Sequence, residues 1–163
     1  MSTIQAKATW KGSYETWLED GRGHSVGVDL PHDEGGSDTG TSALELQVLS
    51  LAGCISTIFA LVAKRRRLRY QGLTIELEAH RPRGAPTVTA VNGTFTIESD
   101  DDPGAIDTSL QITVRTCPVG VIYEKAGIPV SIRTVVRPMV ATAQAERSGV
   151  PAGNGPTEGP ALT

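Results

Sequence analysis

The sequence predicts an α+β fold in which one long, buried helix packs on antiparallel strands. Three observations predict it. Val48 to Ala63 runs for sixteen residues without a charge, and its apolar positions recur at threes and fours, as on a buried helix. Segments 73–80 and 87–97 alternate apolar and polar residues, as half-buried strands do. Before residue 30, Trp, Tyr, Val and Leu cluster around a glycine-marked turn, the composition of paired strands.

The elements follow in order. Residues 5–30 read as a β-hairpin. Ala8, Trp10, Tyr14, Trp17 and Leu18 lead out, and Asp20-Gly21-Arg22-Gly23 turns the chain. Val26, Val28 and Leu30 share one face of the return strand, His24 to Leu30. Residues 31–42 form a polar, Gly-rich loop. Ser42 followed by Glu45 has the spacing of a capping box and starts a helix over 43–66. Leu44, Val48, Leu51, Ile55, Ile58 and Val62 make its main stripe. Leu46, Leu49, Phe59 and Leu61 fill most other faces, so burial nearly all round is expected. Lys64 to Arg67 sit on the last turn, where cations suit the helix dipole. The strands over 73–80 and 87–97, the second around Asn92-Gly93, are expected to pair antiparallel. Pro103–Thr113 and Cys117–Lys125 read as two shorter helices, and Val130–Val136 as a closing strand. The domain is thus placed at 1–140. The Ala, Gly, Pro, Thr and Ser of 141–163 read as a disordered tail.

Composition narrows the function. A net charge of −3 and 4% aromatic residues supply neither the field nor the stacking surface of a nucleic-acid binder. The apolar run contains Ser50, Gly53, Ser56 and Thr57 and is blocked by Glu45, so a core helix is expected and no membrane partner. The N-terminus reads without a targeting segment, and two cysteines are too few for a disulfide framework. A cytoplasmic location, with thiols kept reduced, is expected.

Two motifs bear on chemistry. Asp38-Thr39-Gly40-Thr41-Ser42 resembles the catalytic loop of aspartic proteases. Its context argues against that, because Glu34-Gly35-Gly36-Ser37 replaces the apolar strand leading in and a helix leads out. The second motif is the cysteine pair. Cys54, in mid-helix, reads on its own as a core residue. Cys117 opens a helix ahead of Pro118, a place where thiol pKa values fall, so local sequence ranks it as the more reactive thiol. A zinc site from the cysteines with two of His24, His32 and His80 lacks ligand spacing, and no metal is expected.

Residues 35–54, Gly-Gly-Ser-Asp-Thr-Gly-Thr-Ser-Ala-Leu-Glu-Leu-Gln-Val-Leu-Ser-Leu-Ala-Gly-Cys, resemble the first cysteine motif of the OsmC/Ohr family of thiol peroxidases. Thr116-Cys117-Pro118-Val119 resembles the second, and the opening Ala8-Thr9-Trp10-Lys11-Gly12 is similar too. The resemblance covers about residues 6–137. It implies a strongly curved antiparallel sheet around the central helix, in an intertwined homodimer. It also reverses the local ranking of the thiols. Cys54 would attack an organic hydroperoxide and Cys117 would resolve the sulfenic acid, with an external dithiol reductant and no cofactor. The alternative is a non-catalytic module of the same fold binding a small apolar ligand.

Two departures stand out. The hydroperoxide branch of the family carries an arginine where this chain has Lys11-Gly12-Ser13-Tyr14-Glu15. Arg22 and Arg115 are the candidates to replace it. The branch's helix glutamate falls on Leu44, which leaves Glu45, one residue late, as the catalytic candidate for its role. Nine residues turn an α-helix through about 900°, which puts Glu45 and Cys54 on opposite sides.

Overall fold

A computed structural model describes residues 3–140, so the expectation for 141–163 lies outside the described residues. The central helix, α1, spans Ala43–Arg66 and starts where its cap dictates. Ser42 is extended, its hydroxyl accepts the Glu45 N–H, and the Glu45 carboxylate accepts the Ser42 N–H. Arg67 ends the helix in the left-handed region (φ 59°), its N–H shared between the Ala63 and Lys64 carbonyls. Leu51, Ile55, Phe59 and Ala63, spaced by four, form its fully buried stripe.

The helix is not buried all round. Leu49 stays 58% exposed and Leu61 51%. One chain's sheet and two short helices cover one side of α1, and the rest of its apolar surface is left open.

The N-terminal expectation also needs correction. Residues 5–30 are not a two-stranded hairpin but a three-stranded antiparallel meander. Its strands are β1 (Lys7–Gly12), β2 (Glu15–Glu19) and β3 (Ser25–Val28). The extra turn falls at Gly12-Ser13, where φ is +132° and 47°, a region open to glycine and awkward for most residues. Trp10 is 71% exposed on this sheet. The sheet packs chiefly on itself.

The second sheet carries the core. Its strands are β4 (Gly72–His80), β5 (Ala90–Glu98) and β6 (Val130–Arg137), in that order. β4 and β5 pair antiparallel, as expected, but β6 runs parallel to β5. The structure therefore has two sheets, one of them mixed, in place of one antiparallel sheet. The cause is the connection. Between β5 and β6 lie the helices α2 (Pro103–Thr116) and α3 (Pro118–Lys125), and a helical crossover returns the chain parallel. Asn92-Gly93 sits inside β5 opposite Leu77 and makes no turn. A β-carbon on Gly93 would stand 2.6 Å from the Glu76 carbonyl oxygen, so only glycine fits.

All three helices lie against this sheet. Phe59 meets Phe95 at 4.6 Å between ring centroids and Tyr70 edge-on at 5.9 Å. The helix α2 runs past the expected Thr113 to Thr116. Its Thr108, Ser109, Thr113 and Thr116 hydroxyls each donate to the carbonyl four residues back. Ser109 and Thr113 are buried without loss because the donors are satisfied within the helix.

Candidate active site

The site joins the middle of α1 to the break between α2 and α3. Cys54 lies on the flank of the buried stripe and is half-buried. Cys117 caps two helices at once. Its N–H closes α2 on the Thr113 carbonyl at 2.8 Å, and its sulfur accepts the Gly120 N–H at 3.3 Å to open α3. Pro118 follows at the first helical position, where its missing N–H is not needed. The break aims the Cys117 side chain at α1.

The two sulfurs stand 2.7 Å apart although 63 residues separate them in the chain. A disulfide at about 2.05 Å needs only a sub-ångström approach from there. The environments differ. Cys117 is 0% exposed. Burial, then the contact with Cys54, pushes its thiol up to about 11, against the opposing pull of the Gly120 N–H. The helix N-terminus does act on Cys117 as the sequence suggests, but desolvation outweighs it. Cys117 stays a thiol at neutral pH, placed to donate to Cys54 Sγ.

Gly120 was not singled out by the sequence. A β-carbon there would stand 2.9 Å from the Val114 carbonyl oxygen and 3.7 Å from Cys117 Sγ. The signal was a glycine two residues after a helix-opening proline. Asp29 was missed as well. It is a buried carboxylate that accepts the N–H groups of Leu30, Ser37 and Thr39 and the Thr39 hydroxyl. Burial works against its charge, but those bonds outweigh it and hold the carboxyl below its ordinary range. The loop that leads into α1 is folded around this one group.

The other candidates lie elsewhere. Glu45 accepts from Ser42 N at 2.7 Å, Ser42 Oγ at 2.7 Å and Thr41 Oγ1 at 3.3 Å. The Ser42 hydroxyl above all holds its carboxyl below the usual range. In this chain Glu45 caps the helix. Arg22 is bound by Asp20, with Nε at 3.0 Å and Nη2 at 2.9 Å, in the turn between β2 and β3. The same carboxylate takes His24 Nδ1 at 2.7 Å. Arg115 is exposed on the last turn of α2. Among the described residues, Glu45, Arg22 and Arg115 make no hydrogen bond to either sulfur; the bonds there come from the cysteines themselves and the backbone N–H groups of Gly120 and Val119. Asp38 is exposed with φ 53°, and its neighbour Thr39 is tied to Asp29. That loop is the entry to a helix and not half of an aspartate dyad.

The family profile described as OsmC-like protein matches residues 35–133, which hold both cysteines. The chain belongs to the OsmC-like family. Solved structures give the same fold. The OsmC-like protein from Mycoplasma pneumoniae superposes with a TM-score of 0.73 at 13% identity, covering 83% of this chain and 97% of its own. An organic hydroperoxide resistance protein from Elizabethkingia anophelis gives 0.69 at 18%, covering 84% and 98%. The Legionella pneumophila organic hydroperoxide resistance protein OsmC gives 0.65 at 16%, covering 86% and 98%. No curated protein matches. The matched segment of this OsmC-like protein includes α1, which is long and apolar enough to cross a bilayer, with a mean hydropathy of 2.1. Its buried stripe packs instead against the second sheet and the two short helices.

Proposed function

We propose that this OsmC-like protein reduces organic hydroperoxides with Cys54 as attacking thiol and Cys117 as resolving thiol. The observation that carries this reading is the 2.7 Å approach of the two sulfurs. The Cys54 thiolate attacks one peroxide oxygen and the O–O bond breaks. The alkoxide takes a proton and leaves as alcohol, and Cys54 becomes a sulfenic acid. The Cys117 sulfur then displaces hydroxide from Cys54, giving the disulfide and, with the thiol proton, water. An external dithiol returns both cysteines to thiols, and no cofactor is called for. The organic hydroperoxide resistance proteins that share this fold support the substrate class.

Among the described residues no arginine bonds to either sulfur, and the side-chain donor at Cys54 Sγ is the Cys117 thiol. A homodimer fits the exposed Leu49, Leu61, Trp10 and Trp17, apolar surface that a second copy would cover. The second reading, a binding module, is favoured by the lack of an arginine at Lys11–Glu15 and by a mainly apolar groove of about 520 Å³ between α1 and β4, lined by Leu49, Ala52, Ile75 and Leu77 together with Glu45 and Glu78.

One experiment separates them. Reduced protein is mixed with cumene hydroperoxide, and free thiols are counted. Loss of both thiols is expected. Cys54→Ser should consume no peroxide, and Cys117→Ser should stop at one sulfenic acid. Retention of both thiols would favour the binder, and consumption by Cys54→Ser would make Cys117 the attacker.

A further inference from the structure

We propose that the Cys54–Cys117 disulfide is reduced only through Cys54: the external dithiol forms its mixed disulfide there, and Cys117 is always the leaving sulfur. This rests on the peroxidase reading above and assigns the half of the cycle that reading leaves open. Access to the two sulfurs decides the direction of attack. Thiol–disulfide exchange requires the attacking thiolate to approach one sulfur from the side opposite the other. Cys54 is half-buried and opens to solvent from the flank of α1. Cys117 has no solvent face at all. Behind it sits the start of α3, so close that a single added β-carbon on Gly120 would meet the Val114 carbonyl oxygen at 2.9 Å. A dithiol has no path to that sulfur while α3 is folded.

The same backbone receives the leaving group. When a dithiol sulfur bonds to Cys54, the S–S bond breaks and its electron pair goes to Cys117. The Gly120 N–H, 3.3 Å away, already points at that sulfur. Burial then draws a proton onto it, in keeping with the upward pull on this thiol. The dithiol's second sulfur attacks the first, closes a cyclic disulfide and releases Cys54 as a thiolate. Two electrons pass from the dithiol to the protein; one of its two protons ends on Cys117 and the other goes to solvent. Cys54 thus meets both external molecules, peroxide and reductant, and Cys117 meets neither.

The test bypasses the peroxide. Full-length protein is oxidised with diamide, which makes the disulfide whether or not the protein is a peroxidase. It is then given limiting N-acetylcysteine, a monothiol that cannot complete the second step. Samples are quenched in acid within seconds, free thiols are capped with N-ethylmaleimide, and peptides are read by mass spectrometry. The expected result is N-acetylcysteine on Cys54 and maleimide on Cys117, in an excess on the order of tenfold or more. The reverse pattern, equal labelling of both, or no mixed disulfide at all would overturn the proposal. Inability of cumene hydroperoxide to form the bond would instead sink the peroxidase reading and leave this outcome to be read on its own.

Discussion

Oxidation of the site should stabilise the fold by a large and calculable amount. The bond would join the middle of α1 to the α2–α3 break and close a loop of 63 residues. In the chain-entropy treatment a loop of that size removes about 14 cal/mol/K from the unfolded ensemble, or about 4 kcal/mol at 25 °C. Over the 138 described residues, an unfolding entropy of about 2.1 cal/mol/K per residue converts this to a rise in Tm of about 15 °C. The native state has little to lose, because the sulfurs already lie 2.7 Å apart in the thiol form. The assay is a pair of calorimetric melts, diamide-oxidised against dithiothreitol-reduced, at one protein concentration. Cys54→Ser run under both conditions is the control and should show no difference. A rise below about 3 °C, with thiol titration showing the bond complete, would refute the reasoning. So would a bond that runs between chains.

Three more outcomes follow from the site. The Cys117 thiol is held up at about 11 from an ordinary 9.0, so its contribution to stability is full below pH 9 and is lost as pH rises to 11; urea melts of reduced protein should show this loss, and Cys117→Ala should not. Gly120→Ala should cost about 1–3 kcal/mol by pressing on the Val114 carbonyl and should slow disulfide formation, measured by stopped-flow thiol loss; unchanged stability and rate would mean that α3 has room to shift. Glu45→Ala should cost about 0.3–1.5 kcal/mol through the lost capping box while leaving peroxide consumption per folded molecule unchanged, so a loss of turnover without a loss of stability would return Glu45 to the chemistry.

What was legible in the sequence was what is decided locally. The bounds of α1 follow from Ser42 and Glu45 at one end and a run of cations at the other, all interactions between near neighbours. Strand existence was legible from alternation, but strand direction was not. Nothing in Val130–Arg137 says that it runs parallel to β5, because the helical crossover decides that. The turn at Gly12-Ser13 was overshadowed by the richer Asp20-Gly21-Arg22-Gly23. At the site, the pairing of Cys54 with Cys117 was reachable through family resemblance alone, since no spacing rule joins residues 63 apart. Local sequence also ranked the thiols by one effect, the helix N-terminus. The desolvation that outweighs it at Cys117 depends on three helices meeting, which no local pattern records. The roles of Arg22 and Glu45 depend on side-chain direction. Asp20 and Ser42, both near neighbours, claim them.

The crossover between β5 and β6 has a consequence for the newly made protein. Cys54 leaves the ribosome well before Cys117, and the two meet only once α2 has packed back on α1 and brought the α2–α3 break to it. Contacts between residues this far apart in the chain are slow to form. During that interval a sulfenic acid on Cys54 has no internal thiol to condense with, and further oxidation carries it to irreversible sulfinic and sulfonic acids. The partner thiol of Cys54 is therefore acquired only when the α2–α3 break docks on α1, and a half-folded chain exposes Cys54 to oxidants without it.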